Sequence, residues 1–174
     1  MKWCRVETPD GPRFGMVEGE TISLIDGTPF ESAVRTGKTL PLAEARLLIP
    51  VVPGNFYAIG SNYRDHVEKM AQVAGREPIY YERPRVGYRA NSALIAHGED
   101  IVKPADSTDE FQYEAEIVVV ISEISKYNTL SPGDVVWLGT DDKPHNMKVG
   151  DMLEIEITGI GLLRNQVVAE VPRR

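Results

Sequence analysis

A mostly β chain of the α+β class is what this sequence predicts, on three observations. Short apolar and β-branched runs recur along it, Ile117-Val118-Val119-Val120-Ile121 being the clearest. Turn signals separate them, among them Asp10-Gly11-Pro12, Asp26-Gly27-Thr28-Pro29, Ser131-Pro132-Gly133-Asp134 and Val149-Gly150-Asp151. Helical character is confined to one or two stretches, the main one from about Arg64 to Ala74.

Composition sets the outer bounds. The chain has 174 residues, 42% of them hydrophobic, which suits one domain or a domain with a small appendage and argues against wholesale disorder. Its charge is 19 − 26 = −7. An acidic surface repels nucleic acid and anionic lipid, so neither is an expected partner. A small anionic substrate remains compatible, provided a metal or local Arg and Lys side chains offset its charge. The single cysteine, Cys4, allows no internal disulfide and fits a reducing compartment. Met1-Lys2-Trp3-Cys4-Arg5 lacks the apolar run of a signal peptide, and no stretch reaches the about 20 apolar residues of a membrane span. The expectation is a soluble, cytoplasmic protein.

The elements follow in order. Residues 1–30 read as short strands with turns, including a hairpin from Phe14-Gly15-Met16-Val17 to Thr21-Ile22-Ser23-Leu24-Ile25 across a loop containing Gly19. Residues 30–36 predict a short helix. Leu40 to Pro53, framed by three prolines, reads as a linker between two domains. Phe56-Tyr57-Ala58-Ile59-Gly60 is a strand, followed by Ser61-Asn62-Tyr63 and the helix. Residues 75–90, rich in Pro, Arg and Tyr, read as loop. Ile101 to Pro104 is a brief strand. Tyr113 to Ile121 predicts one continuous strand, buried on both faces because its β-branched run does not alternate. Val135 to Gly139 and Met152 to Ile157 are further strands, the latter with period-two alternation, and a last strand lies near Val167-Val168. His97 and His145 read as turn or loop residues.

Glu114 and Glu116 are the sharpest chemical feature. Residues i and i+2 of a strand share a face, with Cα atoms about 6.5–7 Å apart. Two carboxylates beside a buried run are costly to ionise, and a divalent cation such as Mg²⁺ or Mn²⁺ relieves the cost. Alone, the pair reads more readily as two solvated glutamates at an exposed strand start. Asn62, Tyr63, Asp65 and His66 follow a strand that ends in glycine, where helix-start amides are free and a catalytic His is well placed. Alone, Asn62 or Asp65 reads as a helix cap and His66 as a surface residue. The backbone amides of Leu138-Gly139-Thr140 could bind a carboxylate, or belong to an ordinary acidic loop with Asp141 and Asp142. No phosphate-binding loop, zinc spacing or nucleophile elbow is present.

Taken together and in order, these pieces resemble the fumarylacetoacetate hydrolase family. Gly60-Ser61-Asn62-Tyr63-Arg64-Asp65-His66 looks like the family's strand end with its catalytic His. Ser92-Ala93-Leu94 with Ile101-Val102-Lys103-Pro104 is similar to its Ser-Ala-Leu and Ile-x-x-Pro elements, and Tyr113 to Ile121 to its metal-binding strand. Leu130 to Val136, Leu138-Gly139-Thr140, Gly150-Asp151 and Gly159-Ile160-Gly161 match C-terminal motifs. The likeness runs from residue 55 to about 168, and five ordered motifs make it specific where each alone is weak.

The resemblance implies a mixed β-roll with a small N-terminal β domain over 1–49, a catalytic domain over 50–174, and a homodimer. It implies a Mg²⁺ or Mn²⁺ site with Glu114 and Glu116 as ligands, Ca²⁺ being a possible stand-in in a crystal. His66 becomes the base, with Glu68 or Lys69 as its partner. Asn62, Tyr63, Arg89, Gly139 and Thr140 become substrate-binding residues. The substrate is a small anionic 2-oxo acid, of the 2,4-dioxo or enol (di)carboxylate type, and the reaction is C–C hydrolysis or keto–enol isomerisation. The sequence departs from the pattern in places. Lys69 stands where the family has an acidic partner of the His, with Glu68 one place early. Arg89 stands where Lys is common, and Gly139-Thr140 is followed by Asp141 rather than Pro. Lys69 brings isomerisation level with hydrolysis, and a noncatalytic binding or oligomerisation module is the rival reading.

After Ile121 the family continues with a further ligand Asp, a catalytic Lys and several strands, whereas here Ser122-Glu123-Ile124 follows at once. The family domain is therefore expected to be incomplete near residues 121–122. A break in the chain between about Val120 and Glu123 is the expected cause, and a true internal deletion the alternative.

Overall fold

The computed structural model describes residues 1–83, 85–120, 130–141 and 143–171. Its first unit is a meander of four antiparallel strands: β1 (Lys2–Val6), β2 (Arg13–Glu18), β3 (Thr21–Gly27) and β4 (Ala33–Pro41). The β2–β3 hairpin turns at Gly19, whose φ of 63° is open to glycine at no steric cost. Val6, Ile22 and Ile25 are buried in this sheet.

Chain continuity between Val120 and Glu123 falls outside the described residues.

The helix expected over 30–36 does not form: residues 30–32 belong to a turn and β4 begins at Ala33. Val34, Thr36 and Thr39 are β-branched, and β3 offers them an unpaired edge, so pairing overrides local helical pattern. Gly37, with φ 78°, sits where the register of that pairing shifts. The stretch 40–53 is a packed connection. Leu47 bridges to Val6, the Leu48 amide donates to the Arg5 carbonyl at 2.8 Å, and Val51 is buried.

The sheet that positions the site contains β5 (Phe56–Gly60), β6 (Arg85–Tyr88), β9 (Val118–Val120) and β10 (Val135–Trp137), in the order β6-β5-β10-β9. β5 and β10 run parallel, and the outer two are antiparallel to them. Phe56, Val51 and Val135 form its core, and the Phe56 and Trp137 rings meet edge-on with centroids 4.8 Å apart. Asp134 closes the bottom of this sheet. It is fully buried, accepts from the Ser131 amide at 2.9 Å and the Asn55 amide at 2.7 Å, and is also bonded by the Asn55 side chain.

Residues 85–88, expected to be loop, form β6 because β5 presents an edge to them; Tyr57 and Tyr88 pair across it with ring centroids 5.0 Å apart. The continuous strand expected over 113–121 is two pieces, β8 (Gln112–Tyr113) and β9, with Glu114 to Ile117 irregular between them. Nor is it buried on both faces. Ile117, Val118 and Val119 are exposed, and among the described residues β9 is an edge strand paired only with β10. Its β-branched run encodes extension, but the number of neighbours is a tertiary matter.

The helix α1 (Arg64–Val73) follows β5 as expected, with one buried residue, Ala71. β11 (His145–Asn146) pairs with β8, so His145 lies in a short strand rather than a loop. β12 (Met152–Ile157) and β13 (Gly161–Ala169) form a hairpin, and β7 (Ile101–Lys103) joins β13 in parallel. β13 begins earlier than expected, and Val135 to Gly139 is a strand only to Trp137. Among the described residues, no helix is long and apolar enough to cross a membrane.

Candidate functional site

The site lies where β5 and β10 both end, a natural place for ligands because loops there leave backbone groups open. Four short segments meet: Gly60 to His66, Leu138 to Asp141, Glu114 to Glu116, and Arg89.

Beyond β5 the chain turns sharply at Ser61, whose φ is 58°. Among the described residues it is the sole non-glycine with positive φ, a conformation that costs on the order of 1–3 kcal/mol and clusters at functional sites. The turn delivers Asn62, whose side-chain amide donates to the Leu138 carbonyl at 2.7 Å. Tyr63 is the residue that opens α1, and its side chain adds no capping hydrogen bond. One turn into the helix, His66 Nε2 lies 3.8 Å from Glu114 Oε1, with the His side chain 19% exposed.

Glu116 is held differently. Its Oε2 accepts from the Gly139 amide at 2.9 Å. Burial pushes its carboxyl pKa up, the Gly139 hydrogen bond opposes that, and the neighbouring Glu114 charge adds to it; Arg89 and His66 pull it down. The net direction is upward, so ionising both carboxylates together is costly unless a cation joins them. Glu116 also lines an apolar cavity of about 520 Å³ together with Val118, Val135, Trp137 and Leu94.

Other expected site residues sit nearby in distinct roles. Glu68 is engaged on the exposed side of α1, where Arg64 pairs with it at 3.1 Å and the Tyr80 hydroxyl donates at 2.7 Å. Lys69 Nζ donates to the Asp141 carbonyl at 3.0 Å. Thr140 is buried directly after Gly139. Arg89 folds back over Gly87, its Nη1 3.4 Å from where a Gly87 Cβ would stand, and its charge reaches Glu116. The Gly139 amide, expected to bind a substrate carboxylate, here serves the protein's own. Asp134 escaped the sequence reading; the Pro-Gly-Asp turn was visible, but its reach to Asn55 was not.

As a metal site the donors fit a hard divalent cation in kind, two carboxylates whose mutual repulsion it would relieve. Among the described residues, no group of three or more His, Cys, Asp or Glu side chains is placed to hold a metal ion, so the two glutamates are the protein's contribution. Such a cation commonly takes one or two carboxylates and fills its remaining positions with water or substrate.

Comparison with known proteins adds the following. A family model described as Fumarylacetoacetate (FAA) hydrolase C-terminal matches residues 55–123 and 120–168. One described as Rv2993c-like, N-terminal, matches 1–50. Protein Rv2993c of Mycobacterium tuberculosis is 30% identical over 133 residues, covering 72% of this chain and 48% of its own length. The 4-hydroxyphenylacetate degradation bifunctional isomerase/decarboxylase of Salmonella dublin is 41% identical over 150 residues, 80% of this chain and 34% of that protein. This chain thus spans half or less of these relatives. Among solved structures, 2-hydroxyhepta-2,4-diene-1,7-dioate isomerase from Mycobacterium marinum superposes with TM-score 0.81 at 21% identity, covering 98% of this chain and 99% of that one. Maleylpyruvate hydrolase from Sphingobium sp. SYK-6, in complex with manganese(II) ion and pyruvate, gives TM-score 0.70 at 16% identity, covering 97% and 99%. These likenesses establish a shared fold.

Proposed function

Because the chain belongs to the fumarylacetoacetate hydrolase family, we propose that it is a divalent-metal-dependent hydrolase or isomerase of small 2-oxo acids. The substrates are 2,4-dioxo or enol (di)carboxylates. The observation that carries this is the meeting of three groups at one strand end: Glu116 with its raised carboxyl, Glu114, and His66 at 3.8 Å from Glu114.

In this reading Glu114 and Glu116 hold the cation. When bound, Mg²⁺ or Mn²⁺ supplies Lewis-acid stabilisation of an enolate. His66 takes the proton from the substrate carbon or from water and returns it, steadied by the Glu114 carboxylate. Arg89 contributes positive charge for an anionic substrate, and Thr140 and Tyr63 contact it. The apolar cavity beside Glu116 receives the carbon skeleton. Glu68 and Lys69 set the position of α1 through the contacts they make, and the acid beside the His is Glu114. Lys69 in place of the family's acidic residue at that position keeps isomerisation level with C–C hydrolysis.

The division into a small unit over 1–49 and a catalytic unit over 50–174 belongs to the same proposal, as do homodimer formation and a cytoplasmic location. The two family-model matches, meeting at residues 120–123, support a catalytic domain that lacks its middle portion. The test is an assay of the purified protein with an acylpyruvate and with oxaloacetate, in Mn²⁺ and after chelation. Turnover lost on chelation and restored by Mn²⁺ is expected, and Glu116→Ala should abolish metal binding with the fold retained. Bound Mn²⁺ without turnover would favour the binding-module reading, and absence of both would overturn the proposal.

A further inference from the structure

We infer that Asn62 is a positioning residue, one that locks the loop after β10 so that the Gly139 amide keeps the Glu116 carboxylate aimed. The inference rests on the reading of Glu116 as a working carboxylate of the site. Both ends of the Asn62 amide are engaged with the same loop. Its Nδ2 donates to the Leu138 carbonyl at 2.7 Å. Its Oδ1 occupies the space that Gly139 leaves open, since a Cβ there would lie 2.5 Å from that oxygen and 3.0 Å from the Ile59 carbonyl. Gly139 has φ 80°, so a glycine is required twice over, for its backbone angle and for this close approach.

From that interlocked position the Gly139 amide donates to Glu116 at 2.9 Å. Lys69 adds a second clasp on the same loop through the Asp141 carbonyl. The Ser61 turn, with φ 58°, immediately precedes Asn62. Backbone strain stored one residue before a latch, and one strand away from the carboxylate it serves, is the pattern expected of a preorganised site. In this role Asn62 supports the site through the loop it holds rather than by binding substrate.

The test reads amide exchange at Gly139 in the metal-free full chain, together with Mn²⁺ affinity measured by the paramagnetic resonance of free Mn²⁺. Asn62→Ala should accelerate Gly139 exchange at least tenfold, weaken Mn²⁺ binding about tenfold, and lower kcat with KM unchanged. Gly139→Ala should weaken Mn²⁺ binding in the wild-type background and do so less in the Asn62→Ala background, where the oxygen it strikes is gone. Unchanged Gly139 exchange in Asn62→Ala overturns the inference. So does a rise in KM with Mn²⁺ affinity intact, which would make Asn62 a substrate contact, or an equal effect of Gly139→Ala in both backgrounds. If Gly139 exchange responds as expected but the wild type binds no Mn²⁺, the latch stands and the metal-dependent reading of the site falls.

Discussion

Asp134 illustrates how a single residue can stitch distant segments. Its burial opposes ionisation, but hydrogen bonds from Ser131 and Asn55 outweigh that and hold its pKa below the usual carboxylate value of 3.8. A lowered folded pKa means the stabilisation is fully present above the unfolded value and disappears as pH falls through the folded one. Asp134→Asn should therefore cost about 1–3 kcal/mol at pH 7, the range for disturbing a buried hydrogen-bonded group. The wild type's advantage in Tm, read by calorimetry from pH 7 downward, should shrink once pH passes below 3.8. An advantage that grows on acidification would refute this account. At this scale the sequence was partly legible. Spacing and the ordered motifs singled out Glu114, Glu116 and His66, because residue type and local order carry that information. The bond between Gly139 and Glu116 was not legible, since it joins two loops 23 residues apart whose approach is set by strand pairing.

Among the elements, α1 is the weakest anchored. It buries only Ala71, and Lys69 ties it to the loop after β10 through the Asp141 carbonyl. Few buried apolar contacts mean low local opening free energy. Amides of α1 should accordingly exchange faster than those of β2 and β3, whose sheet encloses Ile22 and Ile25. Slower exchange in α1 would show that something outside the described contacts holds it. The helix was readable in the sequence because its pattern is local and the Gly60 strand end announces it. β4 and β6 were not readable. Arg85-Val86-Gly87-Tyr88 has little strand character of its own, and becomes a strand because β5 has a free edge beside it. The β-branched run at Val118 to Val120 misled in the opposite sense: its chemistry suits a central strand, and its place among the described residues is at an edge.

Across the whole molecule, the fold class was legible and the division of labour between its sheets was not. Repeated turns and short apolar runs fix a mostly β architecture, but which runs share a sheet depends on pairings far apart in the chain. That distance has a consequence in time. The meander β1–β4 joins neighbours in sequence, whereas β5 must wait for β10, as Phe56 pairs with Val135. Closing the longer loop costs more entropy before any contact rewards it, so assembly of the second sheet should lag behind the first. The protein carries its own clocks, one tryptophan in each: Trp3 on β1 and Trp137 on β10. In stopped-flow refolding, a Trp137→Phe variant should report a fast phase through Trp3, and a Trp3→Phe variant a slower one through Trp137. A single shared rate constant would mean that the two sheets form together. With two rates, a newly made chain would present a finished meander for some time before it had any carboxylate site at all.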